Sequence, residues 1–225
     1  MKSIYEQVLG EDFKKLHTRI QQRFGFSSRD RSASIGHGVM KRIWYNKLVA
    51  IPLYIGAFRH IMFPQGGHDI PFSIENFAYV DRYGRETVTW IRKFKFMRRV
   101  RHFDATMIYS GERGLIVDYL GNKQHLAVDL NISAASNGGI CIRSGEQRFY
   151  EKQLQFRFPR LFTGCAEVNE WYDDAEACYK VTVDVRNPVL GLIFRYEGSF
   201  QCCFITVDPD AIPVGIQPLR DEKRE

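Results

Sequence analysis

The sequence predicts an α+β, mainly β fold, in which an N-terminal helix packs on a large curved or barrel-like antiparallel sheet that runs as a meander. The spacing of apolar residues changes from about 3.6 to 2 after the polar stretch "GFSSRDRSAS". Short turn sequences such as "DRYG", "SGERG" and "DDAE" then separate the alternating segments. These connections are too short for the crossover helices that parallel strands require, so an antiparallel sheet is favoured.

The first element is a helix over residues 3–24. Ser3, followed three residues later by Glu6, forms a capping box at its start, and Gly25 is a suitable residue just past its end. Gly10 can divide the segment into a short helix and a longer one. The apolar stripe that we expect to dock on the sheet consists of Ile4, Val8, Leu9, Phe13, Leu16, Ile20 and Phe24.

Ten segments between residues 35 and 207 alternate as half-buried strands do. Because a long open sheet leaves two unpaired edges, they favour a strongly bent or closed sheet with an interior. The segment Glu151–Gly164 is expected to form a short helix or lid. The ten segments are Ile35–Trp44, Phe72–Val80, Arg85–Phe96, His102–Tyr109, Gly114–Tyr119, His125–Ile132, Ile140–Phe149, Cys165–Tyr172, Ala177–Arg186 and Arg195–Val207.

We expect a single domain over residues 1–218, followed by a charged tail, 219–225, that frays. The N-terminus has no apolar signal segment and the five cysteines show no Cys-x-x-Cys spacing, which predicts reduced thiols in the cytoplasm. The longest mainly apolar run, Leu48–Phe58, is shorter than the roughly 20 residues of a spanning helix and contains Pro52. No membrane span is therefore expected, whereas peripheral contact stays open.

Known chemical motifs are missing from the sequence. The histidines are scattered without metal-ligand spacing, so we predict no metal. No Walker loop, no dinucleotide fingerprint after a strand and no nucleophile elbow occur, so we predict no cofactor. The net charge of +6 and the stretch "RKFKFMRRVRH" permit an interaction module with an anionic partner. Nucleic acid is not favoured, because Lys93 and Lys95 are simply the solvent-facing residues of a strand.

Several polar residues share the parity of apolar neighbours and are expected to point inward. Arg92 alternates with Trp90 and Phe94, and Glu170 alternates with Val168. Gly145 is expected to mark a bulge, which would reverse the parity of the residues that follow it. The inward polar set is Asn76, Arg92, Glu146, Arg148 and Glu170.

Buried charges need partners, which leaves two interpretations of this set. In the first, Arg92 forms a salt bridge with Glu170 or Glu146 that fixes the register of the sheet. In the second, arginine anchors the head group of a small amphipathic or acidic molecule in a cavity with aromatic walls. The ligand-binding residues predicted by the second interpretation are Asn76, Trp90, Arg92, Arg148, Tyr172, Tyr196 and Phe200.

An enzyme is the alternative to a binding protein. Glu170 or Glu146 in an apolar cavity would have a raised pKa and could act as general acid or base in isomerase-like or cyclase-like chemistry. No further motif in the sequence supports catalysis.

Long stretches of the chain carry a resemblance to known proteins, among them "SIYEQVLGEDFKKLHTRIQQRFGFSS", "FRHIMFPQGGHDIPFSIENF", "VRHFDATMIYS", "DYLGNKQHLAVDL", "IRSGEQRFY" and "EWYDD". They resemble an uncharacterised bacterial domain family of unknown function, found alone or fused C-terminal to saccharopine-dehydrogenase-like NADP-binding regions. The resemblance implies no catalytic residues. It does imply a reductase-type protein partner, which would supply any nicotinamide cofactor.

Overall fold

A closed antiparallel barrel of ten strands forms the body of the computed structural model, which describes residues 2–159, 161, 163–208, 212–213 and 215–225. Its strands are β1 (Ser32–Tyr45), β2 (Gly67–Val80), β3 (Glu86–Phe96), β4 (Arg99–Ser110), β5 (Leu115–Leu120), β6 (Leu126–Ala134), β7 (Ile140–Glu151), β9 (Cys165–Asp173), β10 (Cys178–Asn187) and β11 (Gly191–Thr206), with a short additional strand, β8 (Leu154–Arg157). Neighbours along the chain pair with each other, except that β9 pairs with β7 and not with β8, and β11 pairs with β1 to close the barrel. The predicted mainly β, barrel-like fold is confirmed.

The strand β8 corrects the prediction of a helix or lid after β7. Its residues pair with the end of β7 in a hairpin, with Phe149 opposite Phe156. Lys152 adopts a left-handed conformation (φ 50°) in the connecting turn. The sequence "LQFR" alternates as a strand does, but its residues are exposed, so no apolar face distinguished it from a loop. Pairing with β7, which is longer than predicted, decides its conformation.

The N-terminal segment closes one end of the barrel with two short helices, α1 (Ile4–Leu9) and α2 (Thr18–Phe24), joined by a 3-10 turn. The predicted capping box is present, because the Ser3 side chain accepts from the Glu6 amide at 3.1 Å and Glu6 accepts from the Ser3 amide at 2.8 Å. The division at Gly10, which has a φ of 53°, is also confirmed. The apolar stripe packs into the barrel core, where Tyr5 donates to the sulfur of Met107.

The opposite end is closed by α3 (Ala50–Ala57) and the loop that follows it. Phe63 in this loop is fully buried, and its ring lies 5.0 to 5.8 Å from those of Phe94, Phe96 and Phe194. With the N-terminal helices at one end and this segment at the other, both ends of the barrel are capped by the chain itself.

Among the described residues, no helix combines the length and apolar character needed to cross a bilayer.

The charged tail does not fray as expected but packs on the outside of the barrel. Tyr119 donates to the carbonyl of Arg224 at 2.8 Å, and Tyr150 donates to that of Glu225 at 2.9 Å. Glu222 is buried and accepts from Arg220 and Arg224. The acidic and basic side chains of the tail pair with one another, which allows the tail to lie against Tyr119 and Tyr150.

Candidate functional site

Arg92 lies in the middle of β3 and points into the barrel, as its parity predicts. Its Nε donates to the carbonyl of Phe103 at 2.7 Å, and its Nη1 donates to the hydroxyl of Tyr196 at 3.3 Å. The guanidinium carbon lies 3.9 Å from the centre of the Phe103 ring. Within the described part of the chain, Nη2 has no hydrogen-bond partner. The buried cation is therefore fixed in position but keeps a donor for a further group.

An interior cavity of about 60 Å³ lies against this guanidinium. Its wall is mostly apolar, and the polar residues on it are Arg92, Asp118, Ser144 and Gln147. Trp90 also lines the cavity, and its indole nitrogen is buried with no partner among the described residues. The cavity is small because aromatic and branched side chains from nearly every strand fill the rest of the barrel.

Asp118 on β5 is the carboxyl group of this cavity. Its Oδ1 is buried and has no hydrogen-bond partner among the residues that the structure describes. Burial raises the pKa of Asp118 from 3.8 to about 7, although the nearby Arg92 guanidinium lowers it. A carboxyl group with this pKa can donate a proton or carry a charge near neutral pH. Asp118 shares parity with the buried Ile116, so the rule that identified Arg92 could have found it.

Glu170 pairs with Arg23 of α2 and, in the described contacts, forms no hydrogen bond with Arg92, contrary to the expected pairing. Both members of the pair are almost fully buried, and Arg23 Nε donates to the Glu170 carboxylate. Arg23 also donates to Ser34 at 2.8 Å, and its guanidinium lies 5.0 Å from the centre of the Phe200 ring. Burial raises the pKa of Glu170, and Arg23 opposes that effect.

The other predicted interior residues lie around this ion pair or at the barrel end. Phe200 stacks on Tyr179 with ring centroids 5.3 Å apart. Asn76 is buried opposite Ser34 and Trp90, and its side-chain oxygen has no partner in the described residues. Tyr172 stacks on His17 at 5.2 Å. None of these three predicted ligand residues lines the cavity beside Arg92.

Arg148 and Glu146 lie on the outside of the barrel, so their predicted inward placement is wrong. Between Val128 and Leu130 on β6, the pairing with β7 jumps from Gln147 to Ser144, which is a bulge. The bulge predicted at Gly145 therefore exists, and it reverses the parity of the residues that follow. Arg148 instead forms ion pairs with Asp129 at 2.6 Å and Glu146 at 2.9 Å.

A second polar cluster, which sequence spacing did not reveal, lies on the outer face of β4. Asp104 is buried, and its Oδ2 lies 2.5 Å from Nδ1 of His60 in the loop after α3. His102 is stacked on His60 with ring centroids 4.4 Å apart. Burial raises the pKa of Asp104, but the nearby His60 and His102 outweigh this effect and hold that pKa below its usual value. One ligand atom from each residue lies within 4.8 Å of the others, so the group could hold a metal ion.

Comparisons with known proteins found relatives without an assigned function. The family model described as "Domain of unknown function (DUF4166)" matches residues 16–200. The uncharacterized protein YndH of Bacillus subtilis (strain 168) is 33% identical over 202 residues, which cover 89% of this chain and 97% of that protein. No solved structure matched.

Proposed function

Because the chain belongs to the DUF4166 family of domains of unknown function, its activity must be argued from its own geometry, and we propose that the barrel binds a small acidic or amphipathic molecule beside Arg92 and Asp118. One observation supports the proposal most strongly. The guanidinium of Arg92, which donates hydrogen bonds from Nε and Nη1 but from Nη2 to none of the described residues, and the unpartnered Asp118 Oδ1 line the same mostly apolar cavity. Buried polar groups without partners are uncommon in folded proteins, and a bound acid would satisfy these two.

The size of the cavity limits the ligand. A volume of about 60 Å³ has room for only a few water molecules. A bound molecule would therefore have about the same number of non-hydrogen atoms, unless a capping segment moves aside. A short-chain carboxylic acid fits this description.

Each part of such an acid meets a complementary group. Its carboxylate would accept from Arg92, and from Asp118 when the Asp118 carboxyl is protonated. The apolar wall, which includes Val128, Leu130 and Val183, would surround the hydrocarbon part. Arg92 and Trp90 keep the roles expected from the sequence, Tyr196 holds the guanidinium in place, and Asp118 joins them.

We expect the substitution Arg92→Met to abolish binding of short-chain carboxylic acids to the purified protein. Methionine fills the volume but removes the cation and its free donor, so affinity should fall at least about tenfold, the loss expected for a charge-assisted hydrogen bond. Isothermal titration calorimetry with a series of acids of increasing chain length measures the effect.

The matched control is Lys95→Met, which removes a cation from the exposed outer face of the same strand. This variant should bind as the wild type does. Equal affinity of the Arg92→Met variant, with its fold retained by circular dichroism, would exclude Arg92 as the anchor.

A second candidate function is proton-transfer catalysis with Asp118 as general acid or base. It is favoured by the pKa of about 7, which suits proton transfer near neutral pH. The acids expected from the sequence do not line the cavity: Glu170 is bound to Arg23, and Glu146 pairs with Arg148 and Arg157 outside the barrel. Turnover of a bound acid by the wild type but not by Asp118→Asn would distinguish an enzyme from a binding protein.

The proposal includes a cytoplasmic location and a reductase-type protein partner. Free thiols support the first, because all five cysteines are unpaired, as is usual in a reducing compartment. The second rests only on the resemblance to domains fused with NADP-binding regions, and such a partner would supply the cofactor.

A further inference from the structure

We propose that His60, His102 and Asp104 bind one divalent transition-metal ion on the outer surface of the barrel, separate from the interior cavity. Two imidazoles and one carboxylate form a ligand set used for zinc, iron(II) and cobalt(II) in proteins. The three residues come from two distant segments, so their spacing along the chain, from which we predicted no metal, gave no sign of the cluster.

The geometry already brings the ligand atoms together. The His60 Nδ1 lies 2.5 Å from one oxygen of Asp104, and the His102 Nδ1 lies 3.7 Å from the other. The backbone holds this arrangement, because the Asp104 amide donates to the carbonyl of His60 at 2.8 Å. His60 itself has a φ of 57°, a left-handed conformation that is uncommon for residues other than glycine.

Two buried atoms of the cluster have no partner within the described residues. These are Nδ1 of His102 and Oδ1 of Asp104, which face each other across 3.7 Å. Leaving both unpaired is unfavourable for folding, and a cation between them would satisfy both.

A pocket of about 390 Å³ adjoins the cluster and leaves room for open coordination positions. Its wall includes Thr89, Thr106 and Lys93 of the outer barrel face, and Gly215 and Ile216 of the C-terminal segment. Three protein ligands next to such a pocket resemble catalytic metal sites, where water or a substrate takes the remaining position.

Cobalt(II) titration of protein freed of metal with a chelator tests the site by optical absorption. We expect one saturable ion per chain, with no thiolate-to-cobalt charge-transfer band. Removing a ligand in His60→Ala or Asp104→Asn should weaken affinity by about a hundredfold or more, since even residues behind metal ligands account for 10- to 100-fold. His68→Ala, which removes an exposed histidine, should leave affinity unchanged.

Three outcomes would overturn the metal proposal. They are the absence of saturable binding up to millimolar cobalt, an affinity unchanged in both His60→Ala and Asp104→Asn, and a thiolate band that assigns the ion to cysteine. Variants that lose the fold are recognised by circular dichroism. If His60→Ala is one of them, the cobalt affinity of Asp104→Asn, which preserves the shape of the side chain, decides whether the site exists.

An independent observation concerns α3 and the residues beside it, for which the geometry points to docking on an anionic lipid surface. A helix that is apolar on all sides is normally buried, yet α3 is open to solvent. Leu48, Ile51, Ile55 and Phe58 are 65 to 82% exposed, and we call these four side chains the apolar helix face. Exposed apolar surface of this kind marks an interaction site.

The charges around the apolar helix face indicate which kind of partner binds it. Residues 41–66, which contain α3, include four lysines and arginines and no aspartate or glutamate. Residues 93–103, at the neighbouring hairpin of β3 and β4, include five such cations and again no acid, and of these five Lys93 pairs with Glu75. Arg101 of this hairpin donates to Gln65 in the loop after α3, so the two segments lie side by side.

An apolar face within a cationic surround fits a membrane that contains anionic lipids. A second copy of the chain fits less well, because a symmetric contact would place like charges opposite each other. We therefore expect the side chains of the apolar helix face to enter the headgroup region, with Arg98 and Arg99 on lipid phosphates.

Sedimentation with vesicles tests this docking. We expect binding to vesicles of phosphatidylcholine and phosphatidylserine, weaker binding to phosphatidylcholine alone, and release by salt. Ile51→Asp together with Phe58→Asp should reduce binding by about tenfold or more, given the value of a buried large apolar side chain. Ile205→Asp, at an exposed site near the opposite barrel end, is the control.

Equal binding to neutral and anionic vesicles, or equal binding by the double variant and the control, would refute lipid docking. So would a wild-type dimer in analytical ultracentrifugation that the double variant loses, because it would show that a second copy covers the apolar helix face.

Discussion

The substitution Arg23→Met is expected to reduce the free energy of unfolding by about 3–5 kcal/mol, the usual loss when one partner of a buried ion pair is removed. Glu170 is left buried without its ion-pair partner, and burial then raises its pKa with only the charge of Arg92 opposing the effect. A carboxyl whose folded pKa exceeds its unfolded value of 4.5 loses stability as the pH rises above that value. The deficit should therefore be larger at pH 8 than at pH 5, as urea unfolding at the two pH values would measure.

Two variants show whether the ion pair causes the loss. Arg19→Met, an exposed change on the same helix, should cost little. Arg23→Met combined with Glu170→Met should recover most of the stability, because apolar side chains of similar volume can replace a buried pair. An Arg23→Met deficit that neither depends on pH nor is relieved by the second substitution would show that lost packing, and not charge, is responsible.

Replacing Asp118 by asparagine is expected to stabilise the protein at alkaline pH by up to about 4 kcal/mol. A pKa of about 7 in the folded chain, against 3.8 when unfolded, corresponds to that difference. The unfolded chain releases this proton first, so wild-type stability should fall between about pH 4 and pH 7, and the variant should lack this decline. Urea unfolding across this range measures both curves.

The matched control for this change is Glu112→Gln, which neutralises an exposed acid in the turn before β5 and should keep the wild-type pH dependence. If the Asp118→Asn curve runs parallel to the wild-type curve over the whole range, the Asp118 carboxyl is already ionised in the folded protein at acidic pH. The hydrogen-bond donor proposed for the ligand would then not exist.

The barrel was predictable because its strands alternate over long segments and are joined by short turns. The alternation of apolar and polar residues shows which side of each strand is buried. From this pattern we predicted that Arg92 lies beside Trp90 inside the barrel. The strand β8 escaped this rule because all four of its residues are exposed and only its partner determines its conformation. Closure between β1 and β11 joins the two ends of the sheet, and no local pattern encodes such a contact.

The candidate site was only partly predictable, for reasons that differ between residues. Arg148 was misplaced because a bulge shifts parity by an amount that sequence alone does not give. Arg23 lies three residues after Ile20, beside the apolar stripe of α2, so helical spacing could have indicated its burial although we did not predict it, but its partner in the barrel could not be inferred. His60 and Asp104 meet only through the loop after α3, which has no periodic pattern.

Native mass spectrometry of wild type and Arg92→Met, both purified without added organic acids, tests the central claim of a ligand beside Arg92 and Asp118 most directly. The account predicts one small acidic molecule per wild-type chain, identified after denaturation, and none on the variant. A wild-type protein that remains at the mass of the bare chain, both as purified and after incubation with the series of acids, would contradict it.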